Sequence, residues 1–169
     1  MWHCDVTDDG QWLILANSKD TDNKMRYYAA SLADGVSSRM AWIPISSDFA
    51  FMLDYIANDN TRFYMLSNKD APNYRIVSFE LDPTKARVVD HVSQLTGGIS
   101  SFTDIVPEDP QAILTTAAVL DHNNLLAVYS RDVKDELWVF DLTTGDRITR
   151  LLPEPVSYTH LTLPTTPYV

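Results

Sequence analysis

Few residues of this chain are arranged for covalent chemistry. A hydrolase-type serine nucleophile needs a strand-to-helix elbow, G-x-S-x-G, that exposes the hydroxyl beside its base. The nearest string, Gly98-Ile99-Ser100-Ser101-Phe102, lacks the final glycine and precedes no helix pattern, so it reads as a loop. The 4 histidines, His3, His91, His122 and His160, are scattered through loops and termini, none in H-E-x-x-H or another metal spacing. His122, beside asparagines in a turn, reads as a solvated surface residue. Cys4, at a strand margin, reads as a small buried residue rather than a nucleophile. Asp20-Thr21-Asp22-Asn23 is like a calcium loop but lacks its glycine and its distal glutamate. No catalytic residue, no metal site and no cofactor is therefore expected, and no Gly-rich phosphate loop is present.

Composition narrows the partners. With 13 basic against 23 acidic residues the net charge is -10, and no Lys/Arg cluster breaks the acidic background, so a nucleic-acid surface is not expected. The 169 residues suit one domain, and 45% hydrophobic content suffices for a packed core. The N-terminus, Met1-Trp2-His3-Cys4-Asp5, shows neither a signal peptide nor a membrane span. One cysteine allows no intrachain disulfide, which points to a reduced compartment, the cytoplasm by default.

The elements that would hold any site are strands. An apolar run, a polar loop carrying Lys-Asp and a second run closing on Leu occur three times: Trp12 to Leu32, Phe63 to Leu81 and Leu125 to Leu142. Aligned on Leu32, Leu81 and Leu142, the copies place Ala30, Phe79 and Phe140 two residues earlier and Tyr28, Val77 and Trp138 four earlier. That strand period of two predicts one apolar column per strand against the same core. Ser31, Glu80 and Asp141 alternate with them toward water. Asp34-Gly35, Asp82-Pro83 and Thr144-Gly145-Asp146 follow as turns. Thr7-Asp8-Asp9-Gly10 predicts a tight turn into Trp12-Leu13-Ile14-Leu15, and Met25 to Leu32 completes a hairpin. Phe51 to Ile56, Phe63 to Leu66 and Tyr74 to Leu81 predict a meander. Ile113 to Leu120, Leu125 to Tyr129 and Glu136 to Leu142 predict another, with Asp109 to Thr116 ranked as strand above helix because Thr115 and Thr116 favour extended structure.

The fold class expected is all-β: an incomplete β-propeller of about three antiparallel, four-stranded blades, where closed propellers have about four to eight. The domain division expected is 1-155 as propeller and 156-169 as a non-native or disordered tail. From Val156 to Val169 there is no Asp, Glu, Lys, Arg or Gly, and VSYTHLTLPTT resembles the translated end of a sequencing-library adapter.

Three strings in order, TDDGQWLILANSKDTDNKMRYY, SNKDAPNYRIVSFELD and YSRDVKDELWVFDLTTG, resemble successive stretches of the propeller of the prolyl oligopeptidase family. The resemblance covers roughly Met1 to Pro155. It implies a seven-bladed propeller over the mouth of an α/β-hydrolase domain, in a cytoplasmic serine peptidase that cleaves short peptides after proline. The partners implied are short proline-containing peptides and that hydrolase domain, with no nucleic acid and no membrane. The triad lies outside the matching stretch, so this chain alone is expected to be inactive. By the same resemblance Met1, at the right spacing before Asp8-Asp9-Gly10, corresponds to a methionine lining a substrate pocket, and Thr21 stands where some members have a pocket cysteine. The competing readings are a non-catalytic β-propeller protein-interaction module and a small standalone β-domain.

Overall fold

The computed structural model describes residues 1–20, 24–121, 123–151 and, for the backbone alone, 156–157. Its strands are β1 (Trp2–Val6), β2 (Trp12–Ser18), β3 (Met25–Ser31), β4 (Ala41–Ser46), β5 (Leu53–Asp59), β6 (Arg62–Ser67), β7 (Arg75–Glu80), β8 (Arg87–Val88), β9 (Thr103–Val106), β10 (Ile113–Asp121), β11 (Asn124–Arg131), β12 (Lys134–Asp141), β13 (Arg147–Arg150) and β14 (Val156–Ser157). Two single-turn 3-10 helices, Pro83–Lys85 and Val92–Gln94, are the only helical pieces among the described residues, and neither is long enough to cross a membrane.

All strand pairs are antiparallel, in three sheets: β1-β2-β3-β4-β8, β5-β6-β7-β9, and β10-β11-β12-β13 with β14 added beside β12. The blade core is the expected four strands, and the first and third sheets each carry a fifth. Chain passes from one sheet to the next in sequence order, except for one strap. After β7 the chain crosses to pair β8 with β4, bridges Gly98 to Ser46, and only then returns to its own sheet as β9.

The hairpin and both meanders fall where turn chemistry and period two placed them. Three expectations need correction. The aligned columns do not share one core. Val77, Phe79 and Leu81 pack between the first and second blades with Trp12, Ile14 and Tyr27. Phe140 and Leu142 pack between the second and third with Tyr64, Leu66 and Ile76, and Tyr28 lies on the far face of the first blade under Val92 and Leu95 of the strap. Equivalent columns occupy successive layers because stacked blades bury both faces. In β6, Phe63 and Met65 face one neighbour while Tyr64 and Leu66 face the other, and all four are buried. The second correction concerns the third Lys-Asp pair. Lys134 and Asp135 lie within β12, not in a loop, because Arg131 pairs with Lys134 across the two-residue turn Asp132-Val133. Third, β5 runs three residues past Ile56 to Asp59, so the turn into β6 is Asn60 and Thr61 alone.

Two turns test the backbone account. Gly145 adopts φ +76, and a Cβ there would stand 2.0 Å from the Ile105 carbonyl oxygen of the neighbouring blade. Asp132 and Val133 both have positive φ, 51 and 66, as a two-residue hairpin turn requires, which is a poor fit for β-branched Val133, 83% exposed. Gly145→Ala is expected to destabilise the protein by at least about 2 kcal/mol. Val133→Gly is expected to stabilise it by about 0.5 to 1 kcal/mol. Denaturant midpoints of the two variants measure both, and a neutral Gly145→Ala would contradict the close approach.

Candidate functional site

The first strands of successive sheets converge: the most extensive cross-sheet approach is that of β5 to β10. In a stack of twisted blades such convergence marks the inner rim, toward the axis. On the first blade that strand is β1, whose five residues are all exposed.

The turn leaving β1 is built by its own side chains. Thr7 donates its hydroxyl proton to Asp9 at 2.6 Å and accepts from the Trp12 N–H at 3.1 Å, while the Gln11 N–H donates to Asp9 at 3.0 Å. Gly10, at φ +72, closes it by donating to the Thr7 carbonyl. The turn is then latched to the second blade. The Asp8 N–H donates to the Tyr55 hydroxyl, which donates to Asn58 Oδ1 at 2.7 Å. Asn58 Nδ2 donates to Asp9 at 2.7 Å, and Trp12 Nε1 donates to the Asn60 carbonyl at 3.0 Å. Desolvation pushes the Asp9 carboxyl up, but the hydrogen bonds from Thr7, Gln11 and Asn58 together outweigh it and hold the group below its ordinary value. Desolvation in the seam pushes Tyr55 up to about 12, so its hydroxyl keeps its proton at any working pH.

A second pin lies deeper. The Tyr27 hydroxyl donates to the Leu53 carbonyl and accepts from the Leu53 N–H, and desolvation pushes it up to about 12. Beside it, a groove of about 430 Å³ runs between β1 and β5, lined by His3, Cys4 and Asp5 on one wall and Met52, Leu53 and Asp54 on the other. Partial desolvation by the groove walls, and then the charge of Asp5, push the Asp54 carboxyl above its ordinary value.

Met1 stands at the end of β1 away from the Thr7–Gly10 turn. Its ammonium donates to the Ser18 carbonyl at 2.7 Å and its carbonyl accepts from the Ser18 N–H, while the side chain is 75% exposed. Thr21, Asp22, Asn23, His122 and His160 lie outside the described residues, as does the tail apart from the backbone of Val156 and Ser157, which pairs with β12. Cys4 and His3 depart from expectation: both sit within β1, and Cys4 is exposed, because β1 is the edge strand of its sheet and is paired only with β2. His91 caps the turn Val92–Gln94, accepting from the Ser93 N–H, and meets Trp2 edge-on at 5.9 Å between ring centroids. The string around Ser100 is irregular chain, with Gly98 held against the Ile45 carbonyl. Of the aromatics expected in the core, Trp12, Tyr28, Phe79 and Phe140 are buried, and Trp138 is half-buried with the Arg147 guanidinium 4.4 Å above its ring. Sequence reading missed Tyr27, Tyr55 and Asn58 as seam residues. An aromatic with a hydroxyl in an otherwise apolar run was the available signal, since a buried phenol needs a partner.

Three antiparallel blades stacked in sequence order, with first strands converging, define a segment of a β-propeller. The chain belongs to the prolyl oligopeptidase family: residues 1–165 match the family model described as prolyl oligopeptidase, N-terminal beta-propeller domain. It is 32% identical over 148 residues to prolyl oligopeptidase A of Amanita bisporigera, covering 87% of this chain and 18% of that protein. It is 27% identical over 155 residues to the dual function macrocyclase-peptidase POPB of Galerina marginata, covering 91% and 19%. The solved apo structure of prolyl oligopeptidase B from Galerina marginata superposes with a TM-score of 0.78 at 28% identity, covering 92% of this chain and 20% of that one. The same enzyme bound to a 35mer hydrolysis and macrocyclization substrate gives 0.76. The chain thus spans about a fifth of the length of the curated relatives it matches.

The groove yields a pH prediction. A carboxyl whose folded-state pKa is raised costs stability once ionised, and that cost is absent when the group is protonated in both states. Asp54→Asn is therefore expected to raise the melting temperature at pH 7, with the gain shrinking as pH falls toward the ordinary carboxyl value of 3.8. A pH-independent gain would contradict it.

Proposed function

We propose that these blades form part of the propeller that restricts substrate access in a serine peptidase cleaving short peptides after proline. The observation that carries this reading is the family match over the whole described stretch, joined to a stack of blades latched at the inner rim. A latched seam keeps an access channel narrow by shape, whereas the transition state is stabilised by an oxyanion hole and triad. Those groups belong to the α/β-hydrolase domain of the parent enzyme. This chain has no G-x-S-x-G string and alone is inactive on this reading.

Met1 is assigned to the substrate-facing wall, where its exposed side chain at the end of an inner-rim strand suits contact with a peptide residue upstream of proline. The compartment assigned is the cytoplasm, consistent with a lone exposed thiol. On the same reading residues 1–155 are propeller and 156–169 a non-native or disordered tail. That division rests on the composition break and the adapter-like string VSYTHLTLPTT, while the family match reaches residue 165 and the backbone of Val156 and Ser157 pairs with β12.

The test is the reading frame beyond Pro155 in the source transcript. It is expected to encode a G-x-S-x-G elbow followed by its acid and histidine. A frame that closes without one would instead favour a non-catalytic interaction propeller.

A further inference from the structure

The groove between β1 and β5 has a chemical character of its own. Its floor is apolar, formed by Met25, Tyr27, Met52 and Leu53, and its lip carries the exposed carboxylates of Asp5 and Asp54. No lysine or arginine lines it, and neither carboxylate joins an ion pair among the described residues. Asp5 accepts only from the N–H of its own neighbour Val6, at 2.8 Å. Because the groove lies between two blades that are both present, its walls are set by the seam and not by an uncovered end of the stack.

Its occupant must satisfy floor and lip together. A neutral apolar side chain would fill the floor and leave two carboxylates facing one another. A short cation would meet the carboxylates and leave the methionines uncovered. A long aliphatic stem ending in a cation does both, laying methylenes on the adaptable thioethers and setting its charge between the carboxylates. We propose that this groove is a subsite for a lysine or arginine side chain of a peptide substrate. The inference rests on the reading of the inner rim as the surface a peptide passes, and it adds a charge preference that proline recognition does not supply. Asp5 and Asp54 are its specificity-determining residues.

The experiment uses the full-length protein and two proline-containing hexapeptides whose bond after proline is reduced and cannot be cleaved, one carrying lysine and the other norleucine at the same position. Titration calorimetry at low salt is expected to give a roughly three- to tenfold tighter Kd for the lysine peptide. The preference should decline as salt rises. In the double variant D5N/D54N the ratio is expected to fall to about one. Equal affinities in the unsubstituted protein, or no binding of either peptide, would overturn the proposal and leave the groove to another part of the same protein. A preference that persists in the double variant would overturn it as well, by placing the charge elsewhere. Cleavage of ordinary proline peptides, assayed on the same sample, reports separately on the peptidase reading.

Discussion

A β-sheet that is apolar on both faces has to be covered twice, and the second blade is such a sheet. Phe63, Met65, Val77 and Phe79 point to one side, and Tyr64, Leu66 and Ile76 to the other. Water on either face would expose side chains whose burial is worth about 1.5 to 3 kcal/mol each. Everything else in the arrangement follows from supplying those two covers. The first blade turns Trp12, Ile14 and Tyr27 toward one face, where Phe63 stacks on Phe79 at 5.8 Å and meets Trp12 edge-on. The third turns Leu114, Leu125 and Phe140 toward the other. Each covering blade then has an outer face of its own. On the first blade part of it lies under the strap, at Tyr28. On the third, Ile113 and Leu120 are about half exposed.

Apolar stacking fixes the spacing of blades but leaves their relative slide undetermined, since hydrophobic contact is non-directional. Hydrogen bonds across the seams supply the missing direction. Between the first two blades they come from Tyr27, Tyr55, Asn58 and Trp12. Between the second and third, the Asn73 N–H donates to Glu108, its carbonyl accepts from the Leu114 N–H, and Arg131 pairs with Asp109 at 2.6 Å. Tyr27 and Tyr55 reach across from within β3 and β5 through side-chain hydroxyls, because strand amides are already used, whereas Asn73, Glu108 and Asp109 act from loops. The inner-rim groove is a consequence: the pins at Tyr27 and at the Thr7–Gly10 turn hold β1 and β5 beside one another without a ladder between them.

What could be read from the residues divides along the same line. Hairpins and meanders are local, and turn residues with period-two alternation gave them away, down to Gly10, Gly35 and Gly145 in left-handed conformations. Six strands escaped. In β1, Trp2, Cys4 and Val6 alternate with His3 and Asp5, but the five residues lie outside the repeated unit. In β4, Pro44 interrupts the run and sits where the pairing with β3 shifts register. The strands β8, β9, β13 and β14 are too short to show a period. The assignment of each column to its layer was out of reach, since a period of two reports that a face is apolar and not which neighbour covers it. The groove was equally hidden: Asp5 and Asp54 are 49 positions apart, and only the seam brings them to one opening.

The central claim is that these blades narrow the approach to a proline-cleaving site. The measurement that bears on it most directly compares kcat/KM of the full-length protein for a short proline-containing peptide with that for the same sequence displayed on the surface of a folded protein. The account predicts cleavage of the free peptide and none of the displayed one. Comparable cleavage of both, or of neither, would contradict it.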